Sequence, residues 1–248
     1  MKTLKLLVGM LLLTMTVQAQ TVDEVLEKYF ENTGGKEKWA ALSTVKMNGK
    51  VKVQGMDIPM AIVQTADGKQ KITINFQGKE ITQMAFDGTE GWSTNFMTQK
   101  AEKMDAEASA NIKSQTGDFP DPFLGYKEKG YTVKLEGKET IEGTETFKVK
   151  LTKKPVKVDG KDEENVLYYY FDTENYVPIV MKTTIKSGQM KGASVETMMS
   201  DYQESNGLYF PYSITTKYNG QTGEAIQIES IEQNVKIDPK AFAFPEGN

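Results

Sequence analysis

The sequence contains no cysteine and no histidine, and all 30 of its basic residues are lysine, so arginine is missing as well. Without cysteine no disulfide can brace the fold, and stability must come from a packed core. Losing Cys and His together removes thiolate nucleophiles, the commonest general base, and nearly every zinc or copper site. Losing Arg removes the planar fork that clamps phosphates and carboxylates bidentately. Catalysis would have to rely on Asp, Glu, Lys, Ser, Thr and Tyr. We therefore expect no cofactor, no metal and no enzymatic activity. The net charge of −4 gives no electrostatic reason to hold nucleic acid or an anionic membrane surface.

What is present begins with a secretion signal. Lys2 and Lys5 precede the apolar run Leu6–Met15, and Val17-Gln18-Ala19 follows. This is the pattern of a signal peptide cleaved after Ala19, and the run is too short to span a bilayer as a helix. No cysteine follows the cleavage site, so the mature chain is not itself a lipoprotein. The remainder, residues 20–248, suits one large β domain or two small ones; with no Pro/Ser linker and no break in charge, a single domain is expected.

The hydrophobic period changes along the chain. Thr21 with Glu24 forms a capping-box pattern, and Val22, Val25, Leu26, Tyr29 and Phe30 fall on one helical face until Gly34-Gly35 stops it. A short second helix carrying Trp39 and Leu42 follows. From Ser43 the period is two: Val45, Met47, Val51 and Val53, then Ile58, Met60 and Ile62, then Ile72, Ile74 and Phe76, then Ile81–Phe86 and Trp92–Phe96. Turn signals at Gln54-Gly55, Asp67-Gly68, Gln77-Gly78 and Asp87-Gly88 separate them. Lys100–Gln115 reads as a helix leaving this meander, with a thin apolar stripe of Ala101, Met104, Ala108 and Ile112. Gly117–Leu124, interrupted by Pro120 and Pro122, reads as a loop with an apolar tip. Seven further strands are expected between Tyr131 and Val235, for about 11–12 in all. The fold class is mainly β (α+β): one curved antiparallel sheet with an N-terminal and an inserted helix.

Several short motifs fail on context. Ser43-x-x-Lys46 sits at a strand start without the partner motifs of a serine acyl enzyme. Gly34-Gly35-Lys36 follows a helix rather than a strand. The acidic groups at Asp159–Glu164 and Asp172–Glu174 lack calcium-loop spacing and read as solvated turns. Asp118 and Asp121 could pair as carboxylates, but the surrounding proline-rich loop accounts for their type. Two features remain. Ten methionines lie between Met47 and Met199, in or beside strands and the inserted helix, where a soft side chain suits either an ordinary core or an adaptable pocket. Tyr168–Phe171 and Leu208–Tyr212 are aromatic on both faces of their strands, so the second face must be covered or must line a cavity or partner site.

The chain resembles the periplasmic outer-membrane lipoprotein carriers, the LolA-like lipoprotein-sorting family, in the form common among Bacteroidetes. The likeness is carried by Thr21–Gly35 with Trp39, Asp87-Gly88-x-x-Gly91-Trp92, and Asp118-Phe119-x-Asp121-Pro122. Later pieces are Tyr170-Phe171-Asp172-x-x-x-Tyr176-x-Pro178, Asp201-Tyr202 through Asn206-Gly207-Leu208-x-x-Pro211, and Ile231 through Asn234-Val235-x-Ile237-Asp238-x-x-x-Phe242-x-Phe244-Pro245. The resemblance implies an incomplete barrel whose open side is plugged by helices, and a role in shielding acyl chains in the periplasm. The family's cargo-release Arg on an early strand has no counterpart; Lys46, Lys50 and Lys52 are the nearby basic residues.

Three readings follow. The first is a periplasmic carrier for an apolar ligand: the acyl chains of a lipid or lipoprotein, taken from and passed to membrane-bound partners by a monomeric protein. Its candidate lining is Met47, Val51, Met60, Ile74, Met84, Phe96, Met181 and Met199. Its candidate lid, cheap to open because its apolar stripe is thin, is Met104, Ala108, Ile112, Phe119 and Phe123. The second is an envelope sensor or assembly protein of the same fold, with a filled core and an exposed patch. The third is a carboxylate-dependent hydrolase. A continuous apolar cavity, an exposed apolar edge, or facing carboxylates in a cleft would distinguish them.

Overall fold

The computed structural model describes residues 20–53 and 55–245, so the expected signal peptide lies outside the described residues. Helix α1 spans Val22–Asn32 and opens on the expected capping box: the Thr21 side chain accepts from the Glu24 backbone N–H, and Glu24 accepts from the Thr21 backbone N–H. Val25, Leu26, Tyr29 and Phe30 form its buried stripe. The chain then turns at Gly34, where a Cβ would lie 2.1 Å from the Gly207 carbonyl oxygen. Only glycine allows this approach, which seats the end of α1 on a hairpin of the sheet. Helix α2 (Lys36–Ala40) buries Trp39.

Every strand joins one antiparallel sheet. The first group is β1 (Thr44–Val53), β2 (Met56–Thr65), β3 (Gln70–Phe76), β4 (Lys79–Phe86), β5 (Gly91–Thr94) and β6 (Ala101–Lys103). The second is β7 (Thr132–Ile141), β8 (Thr144–Val158), β9 (Lys161–Asp172), β10 (Pro178–Thr184), β11 (Ser194–Ser205), β12 (Leu208–Tyr218) and β13 (Gln221–Gln233). The order is β6-β5-β4-β3-β2-β1-β13-β12-β11-β10-β9-β8-β7, so the two meanders meet at the β1–β13 pair.

The thirteenth strand is a correction to the sequence reading. Lys100–Gln115 is not continuous helix: Ala101–Lys103 pairs with Trp92–Thr94, and helix α3 runs Ala106–Thr116. Asp105 sets its start by accepting from the Ala108 N–H at 2.7 Å. The neighbouring strand stops at Thr94, which leaves Phe96 in the β5–β6 turn.

The curvature of the sheet follows from α3. Its Ser109 hydroxyl accepts from the Gly91 N–H on β5, while Asn111 bonds the Lys157 backbone on β8 through both amide atoms. Ten strand spacings separate β5 from β8 along the sheet, roughly 48 Å at about 4.8 Å each. An 11-residue helix is only about 16 Å long. The sheet must curl until its two ends face each other across α3. Behind it, the Pro239–Phe242 3₁₀ turn packs on the outer face, where the Trp92 indole N–H donates to the Phe242 carbonyl at 2.9 Å.

Candidate functional site

Alternation along the strands divides the sheet into an outer face and an inner face. On β1, Val45, Met47, Val51 and Val53 point inward and Lys46, Lys50 and Lys52 point outward. Lys46 pairs with Glu232 at 2.8 Å and Lys50 with Glu229 at 2.6 Å. None of these lysines therefore reaches the interior in place of the family's arginine.

The inner face falls into two parts. At the α1 end it is filled. Leu26, Tyr29 and Phe30 of α1 and Trp39 of α2 pack with Val45, Phe147, Val149, Leu151, Phe171, Leu208, Phe210, Ile228 and Ile231 from the sheet. Aromatic rings meet edge to face there, Tyr29 on Phe171 at 5.5 Å and Phe123 on Tyr169 at 4.9 Å between centroids. At the far end of the strands lies a second cluster: Val51, Met60, Ile74 and Ile81 are buried, and Val53, Ile58, Ile62, Ile72, Phe76 and Ile226 are half-buried around them. All ten come from β1–β4 and β13, and no helix residue belongs to the cluster. This part of the wall is apolar and built by strands alone: its four central side chains are buried among their neighbours, and the six around them stay half-buried.

The expected lining residues divide along the same line. Val51, Met60 and Ile74 sit in the uncovered cluster, and Met47 packs at the edge of the filled one. Met84 opposes Ile72, which continues the uncovered wall onto β4. Met181 and Met199 occupy inner-face positions on β10 and β11, Met199 opposite Ile214. Met199 also borders a hollow of about 670 Å³ that opens beside the end of α1. Phe96 does not join them: it lies in a turn and is 54 % exposed.

The expected lid residues divide too. Met104 and Ile112 of the α3 region pack against Gly91, where a Cβ would come within 2.9 and 3.3 Å of them. Ala108, one turn earlier on α3, is half-buried. Phe123 is fully packed into the filled core and Phe119 lies against it, so the loop after α3 carries no free apolar tip. The sequence reading missed what holds α3 down. Glu107 accepts from the Asp159 and Gly160 N–H groups at 3.0 and 2.8 Å, next to the Asn111 pair. A polar helix face opposite a thin apolar stripe was the available signal.

The loop from Gly117 to Tyr131 is fixed by a buried polar cluster. Asp121 accepts from the Tyr29 hydroxyl and from the Phe123 N–H, both at 2.8 Å. Burial pushes the Asp121 carboxyl above its ordinary range, against the lowering effect of these bonds. Burial likewise raises the Tyr29 hydroxyl, with the Asp121 charge adding to it. Asp118 accepts from the Tyr131 hydroxyl at 2.9 Å and forms an ion pair with Lys153, which is buried on the inner face of β8. Lys129 donates to the Asp118 and Asp121 carbonyls at 3.2 and 2.8 Å, and burial lowers its pKa. Asp118 and Asp121 thus face their own donors rather than a shared cleft. Their geometry is that of a structural clamp, not of a paired acid and base.

No family model matches the chain, and no curated protein matches it in sequence. Its fold has solved counterparts. One is a LolA superfamily protein from Nitrosomonas europaea: 12 % identity, TM-score 0.54, covering 91 % of this chain and 98 % of that one. Another is a domain from Vibrio parahaemolyticus provisionally described as outer membrane lipoprotein-sorting: 10 % identity, TM-score 0.52, covering 88 % of this chain and 94 % of that one.

Proposed function

Starting from a fold shared with LolA superfamily structures, we propose that this protein is a periplasmic carrier that shields the acyl chains of a lipid or lipoprotein and performs no chemistry. The observation that carries this reading is the helix-free apolar wall of β1–β4 and β13, six of whose side chains are only half-buried. Ile62 and Ile72 oppose each other on this wall and are only half-buried, which leaves apolar surface in contact with water. An acyl chain laid on that wall would remove it. Each buried CH₂ contributes about 0.8 kcal/mol, so a sixteen-carbon chain offers on the order of 12 kcal/mol before ordering costs. From Ile58 to Ile62 the wall runs about 14 Å along one strand, at ~3.4 Å per residue.

Two further features fit this reading. α3 bridges the two ends of the sheet through short polar contacts, so it can open without dismantling the filled core. No helix of the described residues is long and apolar enough to cross a membrane. The test is titration with a fluorescent fatty acid. Ile72→Glu should weaken binding by roughly tenfold or more, because a carboxylate would have to be buried against the chain. Its melting temperature should stay close to that of the wild type. Unchanged binding in this variant would remove the uncovered wall as the site.

A further inference from the structure

We propose that the hairpin ends beside the uncovered wall form a membrane-docking rim, whose occupant is the surface of an anionic phospholipid bilayer. This deepens the carrier reading by naming where cargo crosses between membrane and protein. The register places the connections β1–β2, β3–β4, β5–β6, β8–β9, β10–β11 and β12–β13 at one end of the strand array, away from α1. Among the described residues, five large apolar side chains are well exposed; three are on these connections and a fourth, Met56, opens β2 directly beside one. They are Met56 at 51 %, Phe96 at 54 %, Met97 at 95 % and Met190 at 46 %. Scattered single exposures need no explanation, but four at one end do.

Two observations choose the occupant. The first is continuity: Met56 directly opposes Val53, a member of the uncovered cluster, so rim and wall form one apolar surface. A bilayer is the one partner that supplies apolar cargo along such a path without a protein in between. The second is charge. The chain as a whole is negative, yet the two tips bearing Phe96, Met97 and Met190 carry Lys100, Lys186 and Lys191 and no carboxylate. Lys100 and Lys186 make no ion pair among the described residues, and Lys191 reaches Glu163 only at 3.9 Å. Exposed apolar side chains flanked by lysines suit the headgroup boundary of an anionic leaflet, where the apolar atoms enter and the ammonium groups stay with the phosphates. The other tips mix their charges, as with Lys79 beside Glu80 and Lys161 beside Asp159.

The test is flotation of the purified protein with protein-free vesicles of phosphatidylethanolamine and phosphatidylglycerol. The wild type should float with them, less so at high salt. Met97→Asp with Met190→Asp should cut the floated fraction roughly tenfold, since charged groups would replace the inserting ones. Lys100→Glu with Lys186→Glu should abolish the preference over neutral phosphatidylcholine vesicles. All four sites are at least partly exposed, so both variants should fold and keep their fatty-acid binding in solution. Wild-type protein that stays soluble, or a Met97→Asp/Met190→Asp variant that floats equally, would overturn the proposal. Flotation only with vesicles made from native membranes, proteins included, would also overturn it, in favour of a protein partner. Flotation needs no ligand and the fatty-acid titration needs no membrane, so failure of the rim and failure of the carrier reading are separable.

Discussion

The two halves of the inner face are built from the same alternating strands and differ in what covers them. At the α1 end, rings from two helices and the loop after α3 fill the space, and Val149, Leu151 and Phe171 are wholly withdrawn from water. At the other end the strands carry Val, Ile and Met of similar hydropathy, and no helix joins them. The filled half is where apolar residues stabilise the fold, because their burial is complete. In the helix-free half Val51, Met60, Ile74 and Ile81 are also withdrawn, but the six side chains around them keep part of their apolar area in water. One sheet thus holds a core packed by helices beside an apolar wall built by strands alone.

The comparison should break most clearly under truncation. Phe171→Ala, in the filled half, should cost about 3–5 kcal/mol in denaturant unfolding, the range for emptying a packed aromatic site. Ile62→Ala, in the uncovered half, should cost below about 2 kcal/mol, because part of its surface is already wet. Equal losses would mean that the two halves are packed alike. Tyr29→Phe comes next, at about 1–3 kcal/mol, since it leaves buried Asp121 one donor short. Its ligand affinity should not change, because the clamp belongs to the filled half.

Smaller effects sharpen the picture. Glu107→Ala with Asn111→Ala removes the polar bonds of α3 to the β8–β9 hairpin, which are largely exposed. Stability should fall by only about 1 kcal/mol, while stopped-flow displacement of a fluorescent fatty acid becomes several-fold faster. An unchanged rate would remove α3 as the gate. The least effect is a slope. The folded-state pKa of Asp121 lies above its unfolded value, near 3.8. The folded protein therefore holds that proton more tightly, and its contribution is complete below the unfolded pKa and lost as pH rises through the folded one. Across that window the wild type should lose stability with rising pH, relative to Asp121→Asn. Parallel curves would show that Asp121 is not buried as described.

Much of the fold was legible because local chemistry and tertiary structure agree. The capping box of α1, the Gly34-Gly35 stop and the period-two runs each specify their element without outside help. The exceptions have physical reasons. Ala101–Lys103 has the composition of a helix, yet its backbone completes the β5 edge, a partner that no local pattern reveals. Phe96, expected in the lining, lies in an exposed turn, and Phe123, expected on the lid, lies in the filled core. Apolar type alone does not say which apolar residue meets water. For the candidate site, strand alternation puts Met47, Val51, Met60, Ile74, Met84, Met181 and Met199 on the inner face, whatever they line there. It could not tell the covered half from the bare one, since that depends on where α1 and the loop after α3 come to rest.

The most direct test of the central claim is native mass spectrometry of the protein purified from the cells that naturally make it, with lipid extraction of any adduct. The carrier account predicts a discrete mass increment that extracts as an acyl-bearing lipid and is lost in Ile72→Glu. A clean unliganded mass, from protein that also ignores added fatty acids and lysolipids, would contradict it and leave the uncovered wall as a surface for another protein.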